Sequence, residues 1–288
     1  MHKNFLIGNF YFQLIYPEQI ELPEHFLLFE AGNEMTVVDY TYQMILSDTF
    51  PKPKGKCLAK RPDLMVYENP ENRELRYIGI KGSDSYYGCY DEISNETACI
   101  FLNPKTIEHL SFDPVFSSLF AFERRMARQN ALILHCAYVQ YHHSAILFSG
   151  PSGIGKTTQA NLWKKFLNCP TINGDRALLR SIKGQWYADG WPVCGTSDIC
   201  SKKLLPISAI VLLSKGKENI IKYPDTAETF KALYAQLTIN GWHRDMVLHS
   251  IGLMENLMYT MPVFHLQCNI SKQAVDVLEE ALQPVNCV

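Results

Sequence analysis

Gly150-Pro-Ser-Gly-Ile-Gly-Lys-Thr-Thr158 lies between an apolar run, Ala145-Ile-Leu-Phe-Ser149, and a helical pattern from Gln159 to Leu167. The string reads G-x-x-x-x-G-K-[ST], and strand, loop and helix follow in the order that such a phosphate-cradling loop requires. Glycines let the backbone curl so that successive N–H groups face inward, and the helix adds its positive N-terminal end. The expected phosphate contacts are Gly150, Ser152, Gly153, Ile154, Gly155, Lys156, Thr157 and Thr158. Lys156 reaches the terminal phosphates, and the Thr157 hydroxyl is a ligand for Mg²⁺. Nucleotide triphosphate binding, with ATP and Mg²⁺ as cofactors, is the first expectation.

Composition sets the bounds. The 288 residues suffice for one large domain or two modest ones with a full core. Apolar residues make up 47% and charged residues 19%, as in an ordinary globule. A net charge of −2 gives no electrostatic reason to expect nucleic acid. No apolar run approaches the roughly 20 residues of a membrane helix, and no signal-peptide pattern opens the chain, so a cytoplasmic protein without a membrane partner is expected. Nine cysteines without CxxC pairs read as reduced thiols, with Cys136 and Cys268 in apolar strands.

Outward from the loop, residues 1–107 read as a β-rich N-terminal domain, an antiparallel sheet or meander, for which substrate recognition is one expected role. Strands are expected at Phe5 to Tyr16, Met35 to Leu46, Leu64 to Tyr67, Glu74 to Ile80, Tyr87 to Ile93 and Thr97 to Leu102, with turns such as Lys81-Gly-Ser-Asp84. Tyr77, Tyr86, Tyr87 and Tyr90 are read as packing. Residues 108–130 form a connecting helix, capped by Asp113 with Pro114 in its first turn. Glu123, Arg124, Arg125 and Arg128 are read there as a solvated face. The remainder, 131–288, carries the loop. A strand over Ala131 to Gln140, a turn at Tyr141-His-His-Ser144 and the strand into the loop make a hairpin. A short strand then ends at Ile172-Asn-Gly-Asp-Arg176, placing the Asp175 carboxylate where Mg²⁺ or an attacking hydroxyl needs it. Trp186-Tyr-Ala-Asp-Gly-Trp-Pro-Val-Cys-Gly-Thr-Ser-Asp198 leads to an apolar strand, Ile207 to Leu213. Thr226 to Leu237 is amphipathic, a helix opens at Trp242-His-Arg-Asp245, Val263 to Cys268 is a strand, and Ser271 caps a last helix through Leu282.

His135, the hairpin, the Gly150–Thr158 loop and Asn173-Gly-Asp-Arg176 resemble the catalytic domain of HPr serine kinase/phosphorylase over residues 128 to 283. The loop is also similar to that of ATP-dependent phosphoenolpyruvate carboxykinases, which share that fold. The segment from Trp186 to Asp198 is similar to a branch of HPr-kinase-like proteins associated with peptide natural-product modification. The resemblance implies an α/β, HPr-kinase/carboxykinase-like P-loop domain behind the β-rich one. It also implies a kinase that transfers the γ-phosphate of ATP to a Ser or Thr of a peptide or protein, a co-encoded precursor peptide among the candidates. On this basis the catalytic residues are Asp175, Lys156, His135 and Arg176, the metal ligands are Thr157 and Asp175, and the rings common in the family imply a homo-oligomer. The sequence departs at Gly174, where the family has the first of two aspartates. Asp198 is a candidate for the missing ligand and Arg244 for a phosphate-stabilising cation. A small-molecule kinase and a nucleotide-binding regulatory or assembly protein without transfer chemistry stay open beside this reading.

Overall fold

The computed structural model describes residues 1–32, 37–80, 82, 85–223 and 225–283. The expected strand start at Met35, the turn at Lys81, Ser83 and Asp84, and Cys287 lie outside them. The chain divides into two compact units, Met1–Arg125 and Met126–Val288. It is mixed α/β, with one large sheet in each. No helix among the described residues is long and apolar enough to cross a membrane.

In the first unit, β1 (His2–Ile7), β2 (Phe10–Ile15), β3 (Tyr40–Leu46), β4 (Lys56–Arg61), β5 (Leu64–Glu68), β6 (Glu74–Gly79), β7 (Tyr86–Glu92) and β8 (Thr97–Leu102) build one sheet in the order β1-β2-β3-β8-β7-β6-β5-β4. The expected Phe5–Tyr16 strand is a hairpin instead, reversed at Gly8, whose φ is +62°. The sheet is not wholly antiparallel, since β3 runs parallel to both neighbours. Parallel neighbours need a crossover, and the stretch between β2 and β3, which holds α1 (Glu24–Leu27), provides one. An aromatic core fills one face: Phe12 meets Tyr42 edge-on at 5.4 Å, and Phe26 meets Phe116 likewise at 4.8 Å. Tyr87 and Tyr90 are buried, while Tyr77 and Tyr86 are half-buried.

The expected single helix over 108–130 is three pieces: a 3₁₀ segment (Pro104–Ser111), α2 (Asp113–Ser118) and α3 (Phe122–Arg128). Ala121, at φ +51°, breaks it. Asp113 does not cap; Phe112 holds that position, and the Asp113 carboxylate faces His25 Nδ1 at 2.9 Å. Nor are Arg124 and Arg125 solvated. Arg124 is 5% and Arg125 2% exposed. Arg124 Nη1 pairs with Glu74, and Arg125 Nη2 donates to Glu92 Oε1 at 2.7 Å and to the hydroxyls of Tyr40 and Tyr90, both at 2.6 Å. A guanidinium tolerates such burial only with this many partners, which sit 33 to 85 residues away in the chain.

The second unit contains β9 (Ala131–Tyr141), β10 (Ser144–Ser149), α4 (Lys156–Leu167), β11 (Thr171–Asn173), β12 (Arg176–Ile182), β13 (Gln185–Asp189), β14 (Leu205–Lys215), β15 (Ile220–Lys222), α5 (Thr226–Tyr234), α6 (Arg244–Thr260), β16 (Val263–Cys268) and α7 (Lys272–Leu282). The strand order is β10-β9-β12-β13-β14-β16-β15, with β10 also parallel to β14. That extra pairing closes five strands into a ring, from which β16 and β15 extend. The period-2 alternation feeds two cores. Ile146, Phe148, Val211 and Leu213 pack with Trp163 of α4 and Leu278 of α7, while Ala145, Leu147, Ile210 and Leu212 pack with Leu233, Met254 and Leu257 of α5 and α6. α5 stops at Tyr234, short of the expected Leu237, which pairs with Leu134 in an isolated bridge. Asp225 caps it, donated to by the Glu228 N–H at 2.7 Å. Ser271 stands at the N-cap of α7, but its hydroxyl goes to Asn269 Oδ1 rather than to the helix. Cys136 is fully buried; Cys268 is only partly so, its thiol accepting from Gln159 Nε2.

Candidate functional site

β10 is apolar on both faces because helices cover both, and it delivers the chain at Ser149, whose Oγ donates to His135 O at 2.9 Å. Next, Gly150, Gly153 and Gly155 take φ values of +147°, +74° and +117°, the left-handed region in which a side chain is strained. The chain curls through them into α4. Gly155 is its N-cap and offers no side chain, and the first turn closes only at Gln159 N–H to Gly155 O, 2.9 Å. The N–H groups of Lys156, Thr157 and Thr158 therefore precede any intrahelical acceptor. Of the loop amides, Ile154 N–H is already donated to Pro151 O at 3.2 Å. A Cβ placed on Gly153 meets nothing within 4 Å, so that side of the loop is open, and Ser152 beside it is exposed. Lys156 folds back instead of reaching out: it is 7% exposed, and Nζ donates to Gly150 O at 3.0 Å and Pro151 O at 3.2 Å. Burial lowers its pKa from the ordinary lysine value, with the Asp175 charge acting the other way.

Asp175 sits where β11 turns into β12. Asn173, fully buried, sets this turn: its Oδ1 accepts from the N–H of Asp175 at 2.8 Å and of Arg176 at 3.0 Å. The β9–β12 pairing then puts Arg176 opposite His135. His135 Nε2 lies 3.4 Å from Asp175 Oδ1, and Arg176 Nε donates to Asp175 Oδ2 at 3.1 Å. Arg176 Nη1 donates onward to Thr238 Oγ1 at 2.7 Å. Burial pushes the Asp175 carboxyl upward, but the His135 hydrogen bond and the Arg176 charge outweigh it and hold the group below the ordinary carboxylate value. The Thr157 hydroxyl donates to Gly174 O at 3.4 Å, which ties the start of α4 to the turn that carries Asp175. Lys156, Thr157, His135, Asp175 and Arg176 thus converge, although they come from β9, α4, the β11–β12 turn and the start of β12.

Gly174 has a physical reason of its own. A Cβ there falls 2.0 Å from Ser197 Oγ and 2.3 Å from Ser197 Cβ. Ser197 belongs to a 3₁₀ turn, Gly195–Ser197, and its hydroxyl donates to Cys194 O at 2.7 Å. This segment takes up the room a carboxylate at position 174 needs. Gly195, at φ +58°, presses on the other side, where a Cβ stands 3.2 Å from Asp175 Oδ1. Asp198 ends that turn and is exposed, as is Arg244 at the first residue of α6.

Asn173 is a functional residue that the sequence marks only weakly. Besides holding the Asp175 turn, its Nδ2 donates to Trp191 O at 2.9 Å and Val193 O at 3.1 Å. The sole sequence signal was an Asn opening an Asn-Gly-Asp turn, where a side-chain amide commonly caps the following N–H groups. Ser149 carries no sequence signal of its own, since its link to His135 runs through a backbone carbonyl.

Three N–H groups at a helix start, an open flank at Gly153, one ammonium, and the hydroxyl and carboxylate oxygens of Thr157 and Asp175 are the donor set a polyphosphate and a hard cation take. No family model matches this chain, and no curated protein does. Among solved structures it is similar to the HPr(Ser) kinase/phosphatase from Coxiella burnetii, with a TM-score of 0.33 and 9% identity over 53% of this chain and 97% of that one.

Proposed function

We propose that the chain is a Mg-ATP-dependent phosphotransferase acting on a hydroxyl, with Ser or Thr of a peptide or protein as acceptor. One observation carries the reading: a carboxylate kept ionised by His135 and Arg176 stands at a turn tied through Thr157 to the start of a helix whose first N–H groups precede any intrahelical acceptor and receive no side-chain cap. Mg-ATP, when bound, supplies the phosphoryl group and a cation that offsets its charge. Lys156 exchanges the carbonyls of Gly150 and Pro151 for phosphate oxygens, and the N–H groups of Lys156, Thr157 and Thr158, with the Gly153 flank, bind the rest of the polyphosphate. Thr157 and Asp175 would hold the Mg²⁺. Asp175 orients the acceptor hydroxyl and takes its proton, with His135 against Oδ1 and Arg176 against Oδ2 fixing the carboxylate.

The test is purified protein with labelled ATP, Mg²⁺ and peptides encoded by neighbouring genes, with Lys156→Ala as control. Label on a peptide supports the proposal, and label on a metabolite instead makes the chain a small-molecule kinase. A second reading, a nucleotide-binding regulatory or assembly protein, is favoured by one feature: Ser197 fills the space beside Gly174, leaving a single carboxylate. Nucleotide binding with no transfer in any mixture, unaffected by Asp175→Asn, selects it.

A further inference from the structure

The first unit has an unused sheet edge. β4 ends the strand order, paired with β5 alone, and among the described residues no backbone-to-backbone hydrogen bond reaches its outer side. The row of N–H and C=O groups along such an edge is a template for one more strand. Its charge is one-sided. From Pro51 to Arg61 the chain carries Lys52, Lys54, Lys56, Lys60 and Arg61 with no acid, in a protein of net charge −2; all five side chains are exposed, and Arg61 lies 3.7 Å from Asp63 just beyond, which leaves the four lysines to set the sign.

A cavity of about 420 Å³ opens at the head of this edge, its wall including Pro51, Lys52, Lys54, Asn69 and Arg73. The wall and the strand are continuous. A Cβ on Gly55 would strike Glu68 O at 2.1 Å, so the chain leaves the cavity pressed against β5 and enters the pairing of Lys56 with Glu68. Glu74 and Glu92 also reach the cavity, but their charges are spent on Arg76, Arg124 and Arg125. Asp91 then stands as one acid among Lys52, Lys54 and Arg73, and the cavity is cationic on balance.

We infer that the edge of β4 and the cavity at its head form a docking site for an acidic peptide segment, which adds as an extended strand and places an acidic side chain in the cavity. Lysines along an edge discourage pairing with a second neutral or basic strand, and the same field favours an acidic one. A polypeptide fits because only a peptide backbone matches the ladder of the open edge, which runs regularly over Ala59 to Arg61 and is interrupted between Cys57 and Ala59, where the register shifts. The site lies within the first unit, so it does not depend on the phosphotransfer reading.

The test uses the full chain without nucleotide. The probe is a fluorescent peptide of alternating Glu and Thr, about ten residues long, with alternating Glu and Pro as the arm that keeps the charge but cannot pair, and oligo(dT) as the nucleic-acid arm. Binding of the Glu-Thr peptide is expected to weaken with salt, to fall about tenfold or more in Lys56→Glu/Lys60→Glu, and to slow amide exchange across Lys56 to Arg61. Because both lysines are exposed, the double variant should melt as the parent does; the exchange measurement on the unaltered chain decides the matter if it does not. No binding, equal binding of the Glu-Pro peptide, preference for oligo(dT), or unchanged exchange along β4 each overturns the proposal. None of these outcomes touches nucleotide chemistry, which is assayed separately.

Discussion

Replacing Gly174 by alanine should destabilise the second unit for a reason confined to one neighbour. The new Cβ would lie 2.0 Å from Ser197 Oγ and 2.3 Å from Ser197 Cβ, against 3.4–4 Å for ordinary contact. The 3₁₀ turn must therefore retreat by more than about 1 Å or the strand end must shift. Retreat strains the Ser197–Cys194 hydrogen bond and those from Asn173 to Trp191 and Val193. Overpacking of about 1–3 kcal/mol and roughly 1 kcal/mol for a weakened hydrogen bond give an expected cost of about 2–4 kcal/mol. Gly174 is absent from the positive-φ glycines, so backbone strain adds nothing. Ser197→Gly removes both clashing atoms, and in that background Gly174→Ala should cost less than about 1 kcal/mol. Urea unfolding followed by tryptophan fluorescence reads this unit alone, because all four tryptophans (Trp163, Trp186, Trp191 and Trp242) lie in it. Equal costs in the two backgrounds, or a cost below about 0.5 kcal/mol in the parent, would refute the steric account.

Other outcomes follow from the same geometry. Arg125→Met leaves Glu92 and two buried tyrosine hydroxyls short of their donor and should cost about 3–5 kcal/mol, seen by calorimetry as a lower melting temperature. Asp175 has a depressed folded pKa, so its contribution is present above its unfolded pKa and is lost as pH falls through the folded one. Urea midpoints measured across the acid range should drop less steeply for Asp175→Asn than for the parent. On the nucleotide reading, Mg-ATP at about a hundred times its Kd should stabilise the parent by roughly 2.7 kcal/mol in a thermal shift and leave Lys156→Ala nearly unmoved.

The loop and its flanks were legible because each carries a local signal. Glycines mark the left-handed positions, an apolar run marks a strand covered on both faces, and β16 coincides with the alternating stretch read from the sequence. Missing from that reading was whatever depends on distant partners. Arg124 and Arg125 look like a solvated pair until β6 and β7 bring Glu74 and Glu92 beneath them. The break at Ala121 has no local cue, since an alanine ordinarily extends a helix. Gly174 reads as a lost acid in the sequence and as a packing requirement in the fold. The Gly8–Asn9 reversal was a different case: the turn residues were present, and the apolar character on either side masked them.

A single side-chain amide, that of Asn173, grips the acid-bearing turn with its oxygen and the Trp191–Val193 backbone with its nitrogen. These two stretches therefore cannot travel independently. A displacement of the Trp191–Val193 backbone is passed through one amide to the turn that carries the Asp175 carboxylate, so a force felt on one stretch is felt on the other.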